Sequence, residues 1–186
     1  EAMELYRQWL ADFADDADTV ADLKAIENDP KEIEDRFYKE LEFGTAGMRG
    51  VLGAGTNRLN IYNVRRVTRA LAKYILTTPD GAEKGVAIAY DSRHMSDVFA
   101  KQAALVLCNA GVKAYLFDSL RPVPVLSFTI RHLKCIAGIV ITASHNPKQY
   151  NGYKAYWTDG GQMPPESVKG ITDRLPGTTY AESVPM

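Results

Sequence analysis

The chain is poor in several things, and each shortage removes a class of protein. Only two cysteines occur in 186 residues, Cys108 and Cys135. They lie far apart in apolar surroundings and match no metal or redox spacing, so both read as buried free thiols rather than parts of a disulfide framework. No apolar run approaches the length of a membrane span, and the acidic N-terminus does not resemble a signal peptide. Formal net charge is -1, so nothing global draws the chain to nucleic acid or to an anionic membrane, and any positive site must be local. The three histidines, His94, His132 and His145, complete no metal cage with cysteine or carboxylate neighbours. A reducing cytoplasm is the expected compartment. The start at Glu1, with no initiator Met, points to a processed or engineered end.

Familiar phosphate and nucleophile motifs are missing too. Gly50 and Gly55 have the glycine spacing of a P-loop, but no lysine follows Gly55, so the nucleotide cradle is incomplete. Gly53-Ala54-Gly55 lacks the third glycine of a dinucleotide fingerprint and follows no clear strand. Ser144 lacks the G-x-S-x-G setting of a hydrolase nucleophile.

What remains is an ordinary globular composition, 46% hydrophobic and 24% charged, long enough for one well-filled domain and too short for two. Residues 1–43 read as a helical arm. Leu5, Trp9, Leu10 and Phe13 recur at helical spacing, a second segment spans Thr19–Glu27, and a third runs over Lys31–Leu41 after the Asp29-Pro30 cap. The arm carries no evident chemistry and is expected to pack on the outside. A glycine-rich loop follows, Glu42–Asn60, and then a helix over Tyr62–Thr77 with Val64, Val67, Leu71 and Ile75 toward the core. Its basic stripe, Arg65, Arg69 and Lys73, reads as a solvated surface.

Strands are expected at Gly85–Tyr90, Val112–Phe117 and Ile136–Ile141. The helices between them cover Ser96–Ala110, with Ser96 as N-cap and Gly111 as terminator, and a stretch from Pro122 or Pro124 to Leu133. A further strand at Tyr153–Trp157, of either direction, and a short helix over Pro165–Leu175 precede a patternless Thr178–Met186. The fold class is therefore α/β: a three-layer α/β/α sandwich on a mostly parallel, mixed sheet, preceded by the arm. Residues 44–186 form the main domain.

The chemistry gathers where the strand Ile136–Ile141 stops, at Thr142-Ala143-Ser144-His145-Asn146-Pro147, followed by Asn151-Gly152 and Lys154. Ligands bind at the carboxyl ends of strands in open α/β sheets. Arg49, Arg93, His145 and Lys154 around the Ser144 hydroxyl make a local cationic pocket suited to a phosphate, carried by a substrate or by the serine. Neighbouring positive charge pushes a lysine pKa down, which suits Lys154 to proton transfer. A bland reading stands beside each: Ser-x-Asn-Pro is common turn chemistry, and Asp91 with Arg93 makes an equally good turn brace.

Taken together, Thr142–Pro147 with Tyr150-Asn151-Gly152-Tyr153-Lys154 resembles the phosphoserine loop of the α-D-phosphohexomutases. Phe43–Gly50 resembles that family's N-terminal signature, and Asp91-Ser92-Arg93 resembles its third landmark. The wording is closest to the phosphoglucomutase/phosphopentomutase branch, and the resemblance covers nearly the whole chain as the first domain of a four-domain enzyme. It implies interconversion of glucose 1-phosphate and glucose 6-phosphate through a bisphosphorylated sugar, with Ser144 carrying the phosphoryl group. Lys154 and Arg49 would perform acid/base work and charge stabilisation, and His145 would hold the serine loop. Arg93, Asn146 and Thr45 would serve the phosphosugar side. Mg2+ would bind Ser144 through its phosphate oxygen, its other ligands lying in the missing C-terminal domains, and glucose 1,6-bisphosphate would act as activator. Alternatives within the resemblance are a phosphopentomutase or a phosphomannomutase; outside it, a non-catalytic sugar-phosphate-binding module. Without the missing domains the chain alone is expected to be inactive or nearly so.

Overall fold

The computed structural model describes residues 1–185. Three short helices open the chain: α1 (Ala2–Asp12), α2 (Ala17–Lys24) and α3 (Pro30–Phe37). The Asp16 side chain accepts from the Asp18 and Thr19 amides at the start of α2, and Asp29 does the same for Lys31 and Glu32 at α3, with Pro30 as the first helical residue. The third helix was expected to reach Leu41 but stops at Phe37. There the loop after it takes over the hydrogen bonds: Thr56 Oγ1 donates to the Lys39 carbonyl at 2.7 Å, and the Leu41 amide donates to the Thr56 carbonyl at 2.8 Å.

The glycine-rich segment, expected as loop, forms a hairpin of β1 (Phe43–Gly44) and β2 (Gly47–Val51). Then come α4 (Ile61–Ile75), a single turn α5 (Gly81–Lys84), β3 (Val86–Tyr90), α6 (Ser96–Asn109), β4 (Ala114–Leu116), α7 (Val123–Leu133), β5 (Ala137–Ile141), β6 (Tyr150–Trp157) and α8 (Pro165–Thr172). The sheet order is β1-β2-β6-β5-β3-β4. It is mixed: β5-β3-β4 pair parallel, and β6, β2 and β1 are added antiparallel on the other side of β5. The antiparallel half is larger than the sequence suggests because the hairpin supplies two more strands for β6. Helices α4, α6 and α8 cover one face, with Val67, Leu71, Phe99, Leu107 and Ile171 packed on Ile88, Ile139 and Tyr153. On the other face α7 sets Leu126 and Ile130 against Ala87, Ala89 and Val140.

Four expectations need correction. Ser96 is not the N-cap of α6; Met95 holds that place with a left-handed backbone (φ 67°), and the Ser96 hydroxyl turns inward to Asp91. Cys108 is exposed on the outer side of α6, whereas Cys135 is buried. The stripe on α4 is not solvated. Arg65 donates to Gln102, and Lys73 donates to the Gly177 carbonyl, Thr178 Oγ1 and Glu182. Those bonds, with Arg66 on the Leu175 and Thr178 carbonyls, dock the segment expected to be loose. Thr178 and Ser183 are buried in it and Ala181–Ser183 forms a 3-10 turn; Met186 lies outside the described residues.

The arm has its own core. Trp9, 2% exposed, makes edge-on contacts with Phe13, Phe37, Tyr62 and Tyr180, which tie the arm to α4 and to the C-terminal segment. Trp9→Ala should therefore lower the unfolding free energy of the chain by about 3–5 kcal/mol in a urea titration. A loss below about 1 kcal/mol would show that the arm does not share the chain's stability.

Candidate active site

All five residues of β5 are buried, as are Thr142 and Ala143 after it; the chain surfaces at Ser144. Ser144 has a left-handed backbone, φ 54°, which costs an L-residue about 1–2 kcal/mol and persists only where surroundings hold it. Those surroundings are on hand. The Ser144 amide donates to Thr142 Oγ1 at 3.0 Å, and the Asn146 amide closes a turn onto the Ala143 carbonyl at 3.0 Å. The exposed Ser144 Oγ lies 3.4 Å from His145 Nδ1.

Arg93 holds the loop from the next strand end. Its Nη2 donates to the carbonyls of Ser144 (2.8 Å) and Asn146 (2.7 Å), and its Nη1 to those of Pro147 (3.0 Å) and Tyr150 (3.1 Å). Its Nε sits 3.6 Å from the Asp91 carboxylate. A planar fork with fixed donor directions suits this task, and a lysine would not. Both terminal nitrogens of Arg93 are thus engaged with the loop backbone.

Arg49 reaches the same loop from β2, its Nη1 donating to Asn146 Oδ1 at 2.8 Å. Strand register explains why it stands beside Lys154. Arg49 pairs with Gly152, and Lys154 lies two residues further along β6, so both side chains project from one face. That face is the one covered further along by α7, since Lys154 pairs with Val140 of the α7-side core. Gly152 between them has no room for a side chain: a Cβ there would come within 2.6 Å of the Thr142 carbonyl oxygen. Burial holds the Lys154 ammonium below its ordinary pKa, the positive charge of Arg49 pushes it further down, and Asp91 opposes both.

The structure thus joins Ser144, His145, Asn146, Arg49 and Arg93 through direct contacts, with Lys154 next to Arg49. An open cleft of about 730 Å3 runs past Ser144 and Asn146, bordered by Asp91, Arg93, His94 and Lys148. Thr45 stands apart. It is exposed on the hairpin turn and borders a neighbouring hollow shared with Arg49 and Tyr150. Thr142 and Gly152 lie in the stretch the sequence singles out, but their roles, bracing the Ser144 amide and leaving room for the Thr142 carbonyl, come from the structure. The signal was available for Thr142, whose hydroxyl two residues before a strained serine makes a common turn.

An α/β/α domain with an exposed hydroxyl on a strained strand-end loop, held by two arginines, is the class these observations define. Comparison with known proteins narrows it. Residues 40–182 match the family model described as phosphoglucomutase/phosphomannomutase, alpha/beta/alpha domain I. A phosphoglucomutase from Staphylococcus saprophyticus is 46% identical over 139 residues, 75% of this chain and 25% of that protein. A phosphopentomutase from Homo sapiens is 40% identical over 156 residues, 80% of this chain and 26% of that protein. The crystal structure of a putative phosphomannomutase from Thermus thermophilus superposes with a TM-score of 0.67 at 33% identity, over 76% of this chain and 31% of that one. The chain belongs to the phosphoglucomutase/phosphomannomutase family and spans about a quarter of the length of the curated relatives it matches.

Two measurements probe the site itself. In Arg49→Gln the Lys154 amine should titrate at higher pH than in the parent chain, because the nearby positive charge is gone; side-chain NMR reads this, and an unmoved titration would separate the two residues. Ser144→Gly should be more stable than Ser144→Ala by about 1 kcal/mol, since only glycine relieves the left-handed backbone. Equal stability in thermal melts would mean that the strain is absent.

Proposed function

We propose that this chain is the phosphoserine-bearing first domain of a phosphoglucomutase, which interconverts glucose 1-phosphate and glucose 6-phosphate through a bisphosphorylated sugar. The observation that carries the reading is Ser144: an exposed hydroxyl on a loop whose backbone is held by one arginine and whose Asn146 side chain is held by another.

In this reading Ser144 Oγ bears the phosphoryl group. A sugar hydroxyl attacks phosphorus, the bond from phosphorus to Ser144 Oγ breaks, and a bond to the sugar oxygen forms. The hydroxyl proton passes to Lys154, whose lowered pKa makes a neutral amine more accessible than on a free lysine. Return of a phosphoryl group from the bisphosphorylated sugar to Ser144 restores the starting state, and Lys154 gives its proton back to the sugar oxygen. Arg49 stabilises charge on the equatorial oxygens during transfer. His145, Asn146 and Arg93 act by keeping the serine loop in place, and Thr45, on the adjoining hollow, contributes to the phosphosugar side.

Among the described residues no three His, Cys, Asp or Glu side chains converge on a metal position. When Mg2+ is bound, this chain would hold it through one oxygen of a phosphate on Ser144, and the ion would add positive charge at that phosphate. Its other ligands, and most of the grip on the sugar, belong to further domains of a longer protein, so the isolated chain is inactive or nearly so. Glucose 1,6-bisphosphate serves as activator by phosphorylating Ser144. No helix among the described residues is long and apolar enough to cross a membrane. A second reading is a phosphopentomutase acting on ribose phosphate, for which the human phosphopentomutase, 40% identical over 156 residues against 46% over 139 for the staphylococcal phosphoglucomutase, is the support.

Incubating the longer parent protein with glucose 1,6-bisphosphate and Mg2+ should place phosphate on Ser144, and Ser144→Ala should lose both label and mutase turnover, by at least about a thousandfold. An active parent with unmodified Ser144 overturns the proposal. Relative turnover of ribose 1-phosphate and glucose 1-phosphate decides between the two sugars.

A further inference from the structure

Behind the serine loop, on the sheet face opposite Arg49 and Lys154, runs a buried polar chain that the reaction as proposed does not use. Asn151 is completely buried at the start of β6. Its Nδ2 donates to the His94 carbonyl at 3.0 Å and to Ser96 Oγ at 2.9 Å, and its Oδ1 accepts from the Gly152 amide at 2.8 Å. The orientation of the amide is forced, because a carbonyl lies on one side and an N–H on the other. Ser96, also completely buried, has one proton, and it goes to Asp91 Oδ1 at 2.7 Å. The same Asp91 oxygen accepts the Arg93 amide at 2.9 Å, and the Asp91 carboxylate faces Arg93 Nε.

Followed onward, these bonds close on themselves. From Arg93 the fork reaches the carbonyls of Ser144, Asn146, Pro147 and Tyr150, and Tyr150 is the residue before Asn151. The circuit therefore encloses the whole loop from Ser144 to Asn151. Two left-handed non-glycine residues sit on it, Met95 (φ 67°) between His94 and Ser96, and Ser144 (φ 54°). Strained backbone of this kind survives when its neighbourhood over-determines it, and a closed ring of directional bonds does so.

We propose that Ser96 and Asn151 are positioning residues for the serine loop, acting through Asp91 and Arg93 to hold Ser144 in its left-handed conformation. The consequence for the reaction rests on the mutase reading above; the mechanical coupling does not. Ser96 touches neither substrate nor the reacting atoms, so its effect has to travel through Asp91 and the arginine fork. Ser96→Ala keeps the helix start and nearly the same volume while removing the one hydroxyl that joins Asn151 to Asp91.

The test measures backbone hydrogen exchange in this chain, for Ser96→Ala and, independently, for Arg93→Lys, which keeps the charge without the fork. Ser96→Ala, which loses the bonds to Asp91 and from Asn151, should raise exchange across 142–151 by at least about fivefold, and Arg93→Lys, which gives up the four-carbonyl fork, by at least as much, with α4 and the arm unchanged. The double variant should exceed the larger single effect by less than about twofold, because both break the same ring. In the longer parent protein, Ser96→Ala should lower kcat with KM for glucose 1-phosphate unmoved. Unchanged exchange in 142–151, an equal rise everywhere in the chain, or multiplying effects in the double variant would overturn the proposal. If the parent never phosphorylates Ser144 while the exchange effect persists, the mutase reading falls and the coupling stands.

Discussion

Everything at the candidate site depends on how one guanidinium spends its donors. Arg93 is anchored by Asp91 at the end of β3 and gives its terminal N–H groups to four carbonyls of a loop that begins at the neighbouring strand end. A polar loop emerging from a buried strand has carbonyls with no ladder to join, and leaving them unpaired costs about 1–3 kcal/mol each where water is excluded. One planar, permanently charged fork satisfies several of them together and gives the loop a single shape. Arg49 then needs only one bond, to Asn146, to be locked beside it.

The parallel packing of β3 and β5 makes this possible. Tyr90 pairs with Ile141, so the two strands finish level and the Asp91–Arg93 turn arrives next to Thr142–Pro147. The antiparallel half brings in the rest: β6 returns alongside β5 and carries Lys154, and β2 lies against β6 and carries Arg49. Three chain segments far apart in sequence thus meet at one end of the sheet. The helical arm contributes at a distance. Asp22 accepts the Ala54 amide at 2.7 Å and Arg36 donates to the Ala54 carbonyl at 3.3 Å, fixing the loop that continues from β2.

Much of this is legible in the sequence because the elements are locally consistent. The buried runs Val86–Tyr90 and Ala137–Ile141, the Asp29-Pro30 cap and the core stripe of α4 each follow from residue type and spacing. The Ser144 loop stands out because a serine, a histidine, an asparagine and a proline interrupt an apolar strand. What stays hidden is set by tertiary partners. Phe43–Val51 looks like loop because its glycines are poor strand formers, yet β6 offers an edge, and Gly47, with φ 82°, makes the turn. The basic stripe of α4 looks solvated until the C-terminal segment folds over it. Ser96 looks like a cap because helix-start statistics know nothing of the Asp91 carboxylate beneath it.

The protein shapes this loop before any phosphate arrives. Crystal structures of this chain with Ser144 free and with Ser144 phosphorylated test it most directly. In both, Ser144 should keep a positive φ, with Arg93 on the same four carbonyls. A Ser144 backbone that is extended in the free chain and turns left-handed only when phosphorylated would show that the phosphate, not Arg93, organises the site.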